Sequence, residues 1–112
     1  MPHLPIFTLS IQRTTSRAGI VVEGELDMVA APRLTAAIDE LMSEDGLEVV
    51  VDLRALTFMD SSGLQALLHG HQRATEEGAS FSLIRGGDNV MRVFELSGIN
   101  RLIPFARPVE AD

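Results

Sequence analysis

The 112-residue chain contains no cysteine and no lysine. Without cysteine it can have no disulfide scaffold, no thiol nucleophile and no thiolate-bound zinc or iron–sulfur site. Without lysine it can have neither a nucleotide-binding phosphate loop of the Walker type nor a Schiff base. The enzyme classes that depend on these groups are therefore excluded.

Basic charge is also scarce. Nine basic residues stand against sixteen acidic ones, which gives a formal net charge of −7 at pH 7. The arginines are scattered singly and form no cluster that resembles a nucleic-acid footprint. An acidic surface repels phosphate backbones and anionic lipid, so we expect neither nucleic acid nor membrane among the partners.

No long apolar run is present either. Nothing approaches the roughly 18 consecutive apolar residues of a membrane span, and the start of the chain lacks the basic and apolar regions of a signal peptide. We therefore expect a cytoplasmic protein. The length suits one domain that buries its own core, and we expect a single domain over residues 1–112 with an ordered core of about residues 6–105.

Hydrophobic periodicity predicts short strands that are separated by helices. The predicted strands are residues 7–12, 20–26, 47–53, 81–84 and 102–105. A hairpin turn over residues 14–19 joins the first two, and Gly24 interrupts the second. The β-branched run in the third strand is typical of a buried parallel strand.

Three amphipathic helices are predicted between these strands. The first begins near Pro32 and stops before Gly46, the second begins near Asp60 or Ser61 and ends at Gly78, and the third follows an Asp88 N-cap and ends at Gly98. The methionines, Met28 among them, are expected to fill gaps in the core. This order predicts an α/β fold with a mixed β-sheet of four to five strands: an opening hairpin, then alternating strands and helices, with the helices mostly on one face.

The most informative segment is Phe58-Met59-Asp60-Ser61-Ser62-Gly63-Leu64, which follows a buried strand and opens a helix. The first turn of a helix has free backbone N–H groups and the positive end of the helix dipole. Asp60 or a neighbouring serine can cap this turn. From the residues alone, capping without any further function is the simpler interpretation.

Two further segments are informative together with Phe58–Leu64: Gly24-Glu25-Leu26-Asp27 and Phe94–Ile99. The three segments, in register, resemble the motifs of the STAS-domain anti-sigma factor antagonists. Phe58–Leu64 is similar to the signature of that family, Gly24–Asp27 to the element that ends its second strand, and Phe94–Ile99 to its third helix and glycine stop. The resemblance extends from about Phe7 to Phe105 and implies a STAS-like fold.

The resemblance also implies a function. Members bind an anti-sigma factor serine kinase in their unphosphorylated form, release a sigma factor, and are switched off when the kinase phosphorylates the serine that corresponds to Ser61. The implied partner-binding residues are Gly24, Glu25, Asp27, Asp60, Ser61, Ser62 and Gly63. A serine phosphatase is left open as a further partner, and we expect a monomer when the protein is free. The family usually has another helix after the last strand, for which few residues remain here.

Two other functions stay open. One is a STAS module that binds a small ligand or nucleotide, or that serves as a subunit of a transport or signalling complex. The other is a serine hydrolase built from Ser61 with His69 and His71. Residues two apart on a helix point to different faces, and His71 is expected to pack in the core. We therefore predict no enzyme and no catalytic residue. We also predict no metal site and no cofactor.

Overall fold

The sheet runs in the order β1-β2-β3-β4, and three α-helices follow its parallel strands. The computed structural model describes residues 6–109. The prediction that the start of the chain is not a signal peptide concerns residues outside this part. The elements are β1 (Phe7–Arg13), β2 (Arg17–Leu26), α1 (Ala31–Met42), β3 (Glu48–Met59), α2 (Ser61–Glu77), β4 (Phe81–Ile84), α3 (Asp88–Ser97) and a 3-10 helix (Ile99–Arg101).

The strand directions place the three helix starts at one edge of the sheet. β1 pairs antiparallel with β2, whereas β2, β3 and β4 are parallel to one another. The predicted hairpin and mixed sheet are therefore confirmed. Because parallel strands end at the same edge, α1, α2 and α3 all begin near the carboxyl ends of the strands that precede them.

The helices cover one face of the sheet, as predicted. Their buried residues share a single cluster with alternate strand residues such as Ile20, Val22, Val49 and Val51. The predicted apolar face of α1 is buried, with Leu34, Ile38, Leu41 and Met42 in the core. Within residues 6–109 none of the helices combines the length and the apolar character that a membrane crossing requires.

The end of the chain partly covers the opposite face. Val109 packs with Val50 and Ile84 in a small separate cluster. The Ala106 N–H donates to the Leu83 carbonyl oxygen at 2.7 Å. A Cβ built on Gly19 would lie 3.1 Å from the Cβ of Val109. The last described residues therefore run across this face of the sheet from β4 towards β2.

Two strand boundaries differ from the prediction. The hairpin turn is shorter than expected because β2 already begins at Arg17, which leaves Gly19 inside the strand. β3 continues past Leu53 to Met59, because its second half keeps pairing with β2 after β4 has ended. This extension carries β3 directly to the start of α2.

The predicted last strand is reduced to one isolated bridge. Phe105 pairs with Leu83 in a parallel bridge, and a 3-10 helix over residues 99–101 precedes the predicted strand. Pro104 has no N–H to donate to a ladder, which is consistent with so short a pairing. Among the described residues no further helix follows Arg101.

Two side-chain predictions near the helices are wrong. Gly87, not Asp88, is the N-cap of α3. His71 is half-buried rather than packed in the core. The reason is the close approach of α2 to β4: a Cβ on Gly70 would lie 2.6 Å from the Phe81 ring. The buried face of α2 therefore runs through Gly70 and Ala74.

Gly24 forms a bulge that shapes the end of β2. Its φ is +91°, and the register between β2 and β3 shifts beside it. A Cβ at this position would lie 1.9 Å from the carbonyl oxygen of Ile6, which accepts a hydrogen bond from the Glu25 N–H at 2.7 Å. The bulge therefore requires glycine for both its φ and the space, and it redirects the last residues of the strand.

We expect Gly24→Ala to lower the free energy of unfolding by about 1–3 kcal/mol more than Gly46→Ala does. Both glycines have positive φ, so both variants should share the penalty of roughly 1–2 kcal/mol for that conformation. Only Gly24 lacks room, since nothing lies within 4 Å of a Cβ on Gly46. Urea denaturation of the two variants measures the difference, and equal losses would contradict this account.

Candidate functional site

Two aspartates at the ends of neighbouring strands cap the segments that follow them. Asp60 is the N-cap of α2, and its Oδ1 accepts from the N–H groups of Ser62 at 2.8 Å and Gly63 at 3.4 Å. Asp27 Oδ1 accepts from the N–H groups of Val29 at 3.0 Å and Ala30 at 2.9 Å, just before α1. Backbone hydrogen bonds therefore fix the orientation of both carboxylates.

The two aspartates are neighbours across the sheet. Leu26 and Met59, which immediately precede them, are paired in the β2–β3 ladder. The Asp60 N–H also donates to the Leu26 carbonyl oxygen at 3.3 Å. We name the group Glu25, Asp27, Asp60, Ser61 and Ser62 the strand-end surface; within it Ser61 is exposed and the other four are half-buried.

Ser61 is the first residue of α2 and the exposed member of this surface. Its hydroxyl lies at the positive end of the helix dipole, where a negative charge is favoured. Asp60, directly before it, already accepts from the next two N–H groups. The serine is therefore exposed to solvent, next to a carboxylate whose orientation is fixed.

The two glycines of the predicted site support this surface from within the fold. Gly63 is buried, and a Cβ on it would lie 2.7 Å from side-chain atoms of both Leu26 and Met59. Because Gly63 has no side chain, the start of α2 can approach the ends of β2 and β3 closely. Gly24 supplies the bulge in β2. Both glycines therefore position the strand-end surface without a side chain of their own in it.

Neither histidine lies close to Ser61 along α2. His69 and His71 are eight and ten residues further on, which is about 12 and 15 Å along the helix axis. The His69 Nε2 lies 2.7 Å from Asp39 Oδ1 on α1, so this ring links the two helices. Among residues 6–109 this arrangement offers Ser61 no histidine base, which argues against a serine hydrolase built from Ser61 with His69 and His71.

Asp39 is the centre of an ionic cluster between α1 and α2. Its Oδ1 accepts from Arg73 Nη1 at 2.8 Å as well as contacting His69, and Arg73 Nε also donates to Glu77. Burial raises the pKa of Asp39, but the hydrogen bonds and charges of His69 and Arg73 more than offset this effect. The pKa of Asp39 therefore lies below its ordinary value.

A groove between α1 and α2 begins at the strand-end surface and ends at this cluster. Small and apolar residues line most of it, among them Met28, Ala31, Thr35, Ala36, Ser62 and Ala66. The role predicted for Met28 as core filler is wrong, because 73% of its surface is exposed. Met28 and Val29 precede α1 and fall outside its apolar stripe. This position in the sequence is the signal that the two side chains are not buried.

Comparisons with known proteins agree on one family. A family model described as Mlab, STAS domain, matches residues 9–104. The anti-sigma-B factor antagonist of Listeria monocytogenes is 27% identical over 92 residues, which cover 82% of this chain and 81% of the relative. The solved anti-sigma factor antagonist from Mycobacterium paratuberculosis has a TM-score of 0.82 at 27% identity, covering 95% of this chain and 91% of that one.

The anti-sigma factor antagonist SpoIIAA has a similar fold in two chemical states. Its unphosphorylated form has a TM-score of 0.75 at 24% identity and covers 89% of each chain. The phosphorylated form, from Bacillus, has a TM-score of 0.69 at 22% identity and covers 89% of this chain and 92% of that one.

We expect Asp60→Ala to lower the free energy of unfolding by about 0.5–2 kcal/mol, because the N–H groups at the start of α2 lose their acceptor. Asp60→Asn should lose less, since its amide oxygen can accept the same hydrogen bonds. Thermal and urea unfolding of both variants provide the test. Equal losses would mean that the charge of Asp60, and not its capping, stabilises the helix.

The Asp39 cluster should stabilise the fold at neutral pH and less in acid. The pKa of Asp39 is lowered by folding, so its contribution is present above the ordinary carboxyl pKa of about 3.9 and is lost as the pH falls through the folded value. The difference in unfolding free energy between wild type and Asp39→Asn should therefore shrink from about pH 6 to about pH 3, and should stay below about 1 kcal/mol for so exposed a cluster.

The exposed Asp45→Asn corrects this comparison for the change in net charge. After this correction, the difference in unfolding free energy between wild type and Asp39→Asn should still change with pH. A difference that is constant with pH would contradict the role of the ionised carboxylate.

Proposed function

Because this chain belongs to the STAS domain family, we propose that it is an anti-sigma factor antagonist that binds an anti-sigma factor serine kinase in its unphosphorylated form. Binding would release a sigma factor, and phosphorylation of Ser61 would end the binding. The observation that carries this proposal is the exposed Ser61 at the first position of α2, beside two fixed aspartates. The names of the relatives support the same general function.

The proposed contact area is the strand-end surface. A kinase must bring the γ-phosphate of its nucleotide to the Ser61 hydroxyl, so it must cover the residues around that hydroxyl. Asp27 and Asp60 are held in place by backbone donors before any partner arrives, which lowers the entropic cost of ordering them on binding. Their negative charge favours a basic patch on the kinase.

Phosphorylation should change the fold very little. A phosphate on Ser61 adds about −1.5 to −2 charges at neutral pH. The helix dipole favours this charge by roughly 0.3–1 kcal/mol at an exposed site, and the neighbouring Asp60 opposes it by a similar order. The two effects nearly cancel. The likeness of the chain to both chemical states of SpoIIAA supports this expectation.

The interface is different, because there the phosphate must lose its water or clash with the partner. Burying an unpaired charge costs several kcal/mol. This term is larger than either effect within the free domain, so the phosphate should act on association. A serine phosphatase would reverse the switch by removing the exposed phosphate. We propose one-to-one binding by a monomer, in the cytoplasm where sigma factors act.

Ser61 phosphorylation should weaken binding to the kinase at least about 100-fold, which corresponds to about 2.7 kcal/mol. Ser61→Ala should bind without being switched, and Ser61→Asp should bind weakly. Calorimetry with each purified anti-sigma factor kinase of the source organism measures the affinity, and circular dichroism monitors the fold. The matched control is Ser16→Asp, which adds the same charge at the exposed hairpin turn and should bind like wild type.

Equal binding by the phosphorylated and unmodified forms would reject the switch. Failure of the unmodified chain to bind any anti-sigma factor would reject the whole proposal and favour the other STAS functions. Weak binding caused by unfolding would reject the physical mechanism alone.

A further inference from the structure

Two exposed apolar side chains follow Asp27 directly. Met28 is 73% exposed and Val29 is 79% exposed. Their backbone belongs to the capped turn before α1, where the Val29 N–H donates to Asp27. Nothing in that turn requires apolar side chains, because polar residues offer the same backbone groups. The pair therefore calls for an explanation other than the stability of the free fold.

Exposed apolar surface is concentrated at this edge of the sheet. Four of the seven large apolar side chains that are exposed among residues 6–109 surround the strand ends: Ile6, Met28, Val29 and Phe58. The carbonyl oxygen of Ile6 accepts from the Glu25 N–H, and Phe58 is the ladder partner of Glu25. The apolar residues are thus continuous with the strand-end surface.

Met28 and Val29 extend this surface on the two sides of Asp27. Met28 lines the groove between α1 and α2, together with Ser62 and the small side chains of Ala36 and Ala66. Val29 lines a second pocket with Phe7 and Arg33. Asp27 therefore lies between two apolar areas, and the groove begins beside the proposed phosphorylation site.

The charge of this edge of the sheet indicates which kind of partner could bind to it. Glu25, Asp27 and Asp60 make it acidic, and the nearby Arg33 already lies over the Phe7 ring at 5.1 Å and donates to the Phe7 carbonyl oxygen. An anionic lipid surface would be repelled. A second copy, paired by a two-fold axis, would set the same acidic residues against each other. A basic protein surface is the complementary occupant.

We propose that Met28, Val29 and the groove between α1 and α2 bind an apolar segment of the anti-sigma factor that is bordered by basic side chains. This inference rests on the proposed function and adds to it a separate source of affinity. The apolar contacts hold the partner, while Ser61 controls whether the complex can form. A few buried apolar contacts commonly dominate the affinity of an interface, with charged residues at the rim.

Met28→Gln and Ala36→Gln test this surface in the full chain. Met28→Gln removes the apolar anchor, and Ala36→Gln places a larger polar side chain in the groove at an exposed helical position. The probe is the purified anti-sigma factor kinase of the source organism that binds wild type most tightly. The matched control is Leu96→Gln on α3, where the side chain is 84% exposed and outside this edge.

We expect Met28→Gln to weaken binding about 10- to 100-fold, as burial of one exposed methionine side chain would require. Ala36→Gln should also weaken binding, and Leu96→Gln should stay within about twofold of wild type. The effect of Met28→Gln should persist in high salt, whereas the effect of Asp27→Asn should decline as salt screens the charge. Circular dichroism should show an unchanged fold for every variant.

Wild-type affinity in both Met28→Gln and Ala36→Gln, with phosphorylated Ser61 still preventing binding, would overturn this inference and leave the proposed function intact. Absence of binding by the unmodified wild type would overturn both.

Discussion

The backbone N–H groups at the start of α2 and in the turn before α1 need acceptors, and the way they are satisfied determines the rest of this edge of the sheet. Asp27 and Asp60, which directly follow two adjacent parallel strands, accept these N–H groups. Since α2 begins immediately after Asp60, Ser61 becomes its first residue and is exposed. Capping is thus compatible with the proposed function, because the same hydrogen bonds that stabilise the helix also place Ser61 at its exposed first position.

Much of this arrangement could be predicted from local sequence. Asp60 before a helical stripe, and glycine directly after the ends of α2 and α3, are signals whose physics lies within a few residues, and the structure confirms them. What could not be predicted depends on distant partners. β3 continues to Met59 because β2 remains available for pairing, and the segment around Phe105 contributes only one bridge to β4. His71 is displaced from the core by the approach of Gly70 to Phe81.

The site shows the same division. The positions of Asp60 and Ser61 at the helix start followed from the sequence, whereas the adjacency of Asp27 depends on the pairing of Leu26 with Met59. The exposure of Met28 was missed because methionine is usually a core residue, and only the course of the chain between β2 and α1 leaves it in solvent. Under the proposed function, a surface that combines fixed carboxylates, an exposed serine and exposed apolar groups would separate two tasks. The apolar groups would supply affinity, and phosphorylation of the serine would alter the charge of the same surface without altering the core.

The central claim is that phosphorylation of Ser61 acts on association at the strand-end surface and leaves the fold intact. Backbone amide NMR spectra of the labelled chain test it most directly, recorded with and without phosphate and with and without the anti-sigma factor kinase. The account predicts that phosphorylation shifts only signals close to residues 25–29 and 58–65. In the unmodified chain the kinase should perturb these signals together with those of the groove between α1 and α2, and in the phosphorylated chain it should perturb none. Loss of signal dispersion throughout β1, β2 and β3 on phosphorylation, or a kinase footprint on the opposite face of the sheet, would contradict it.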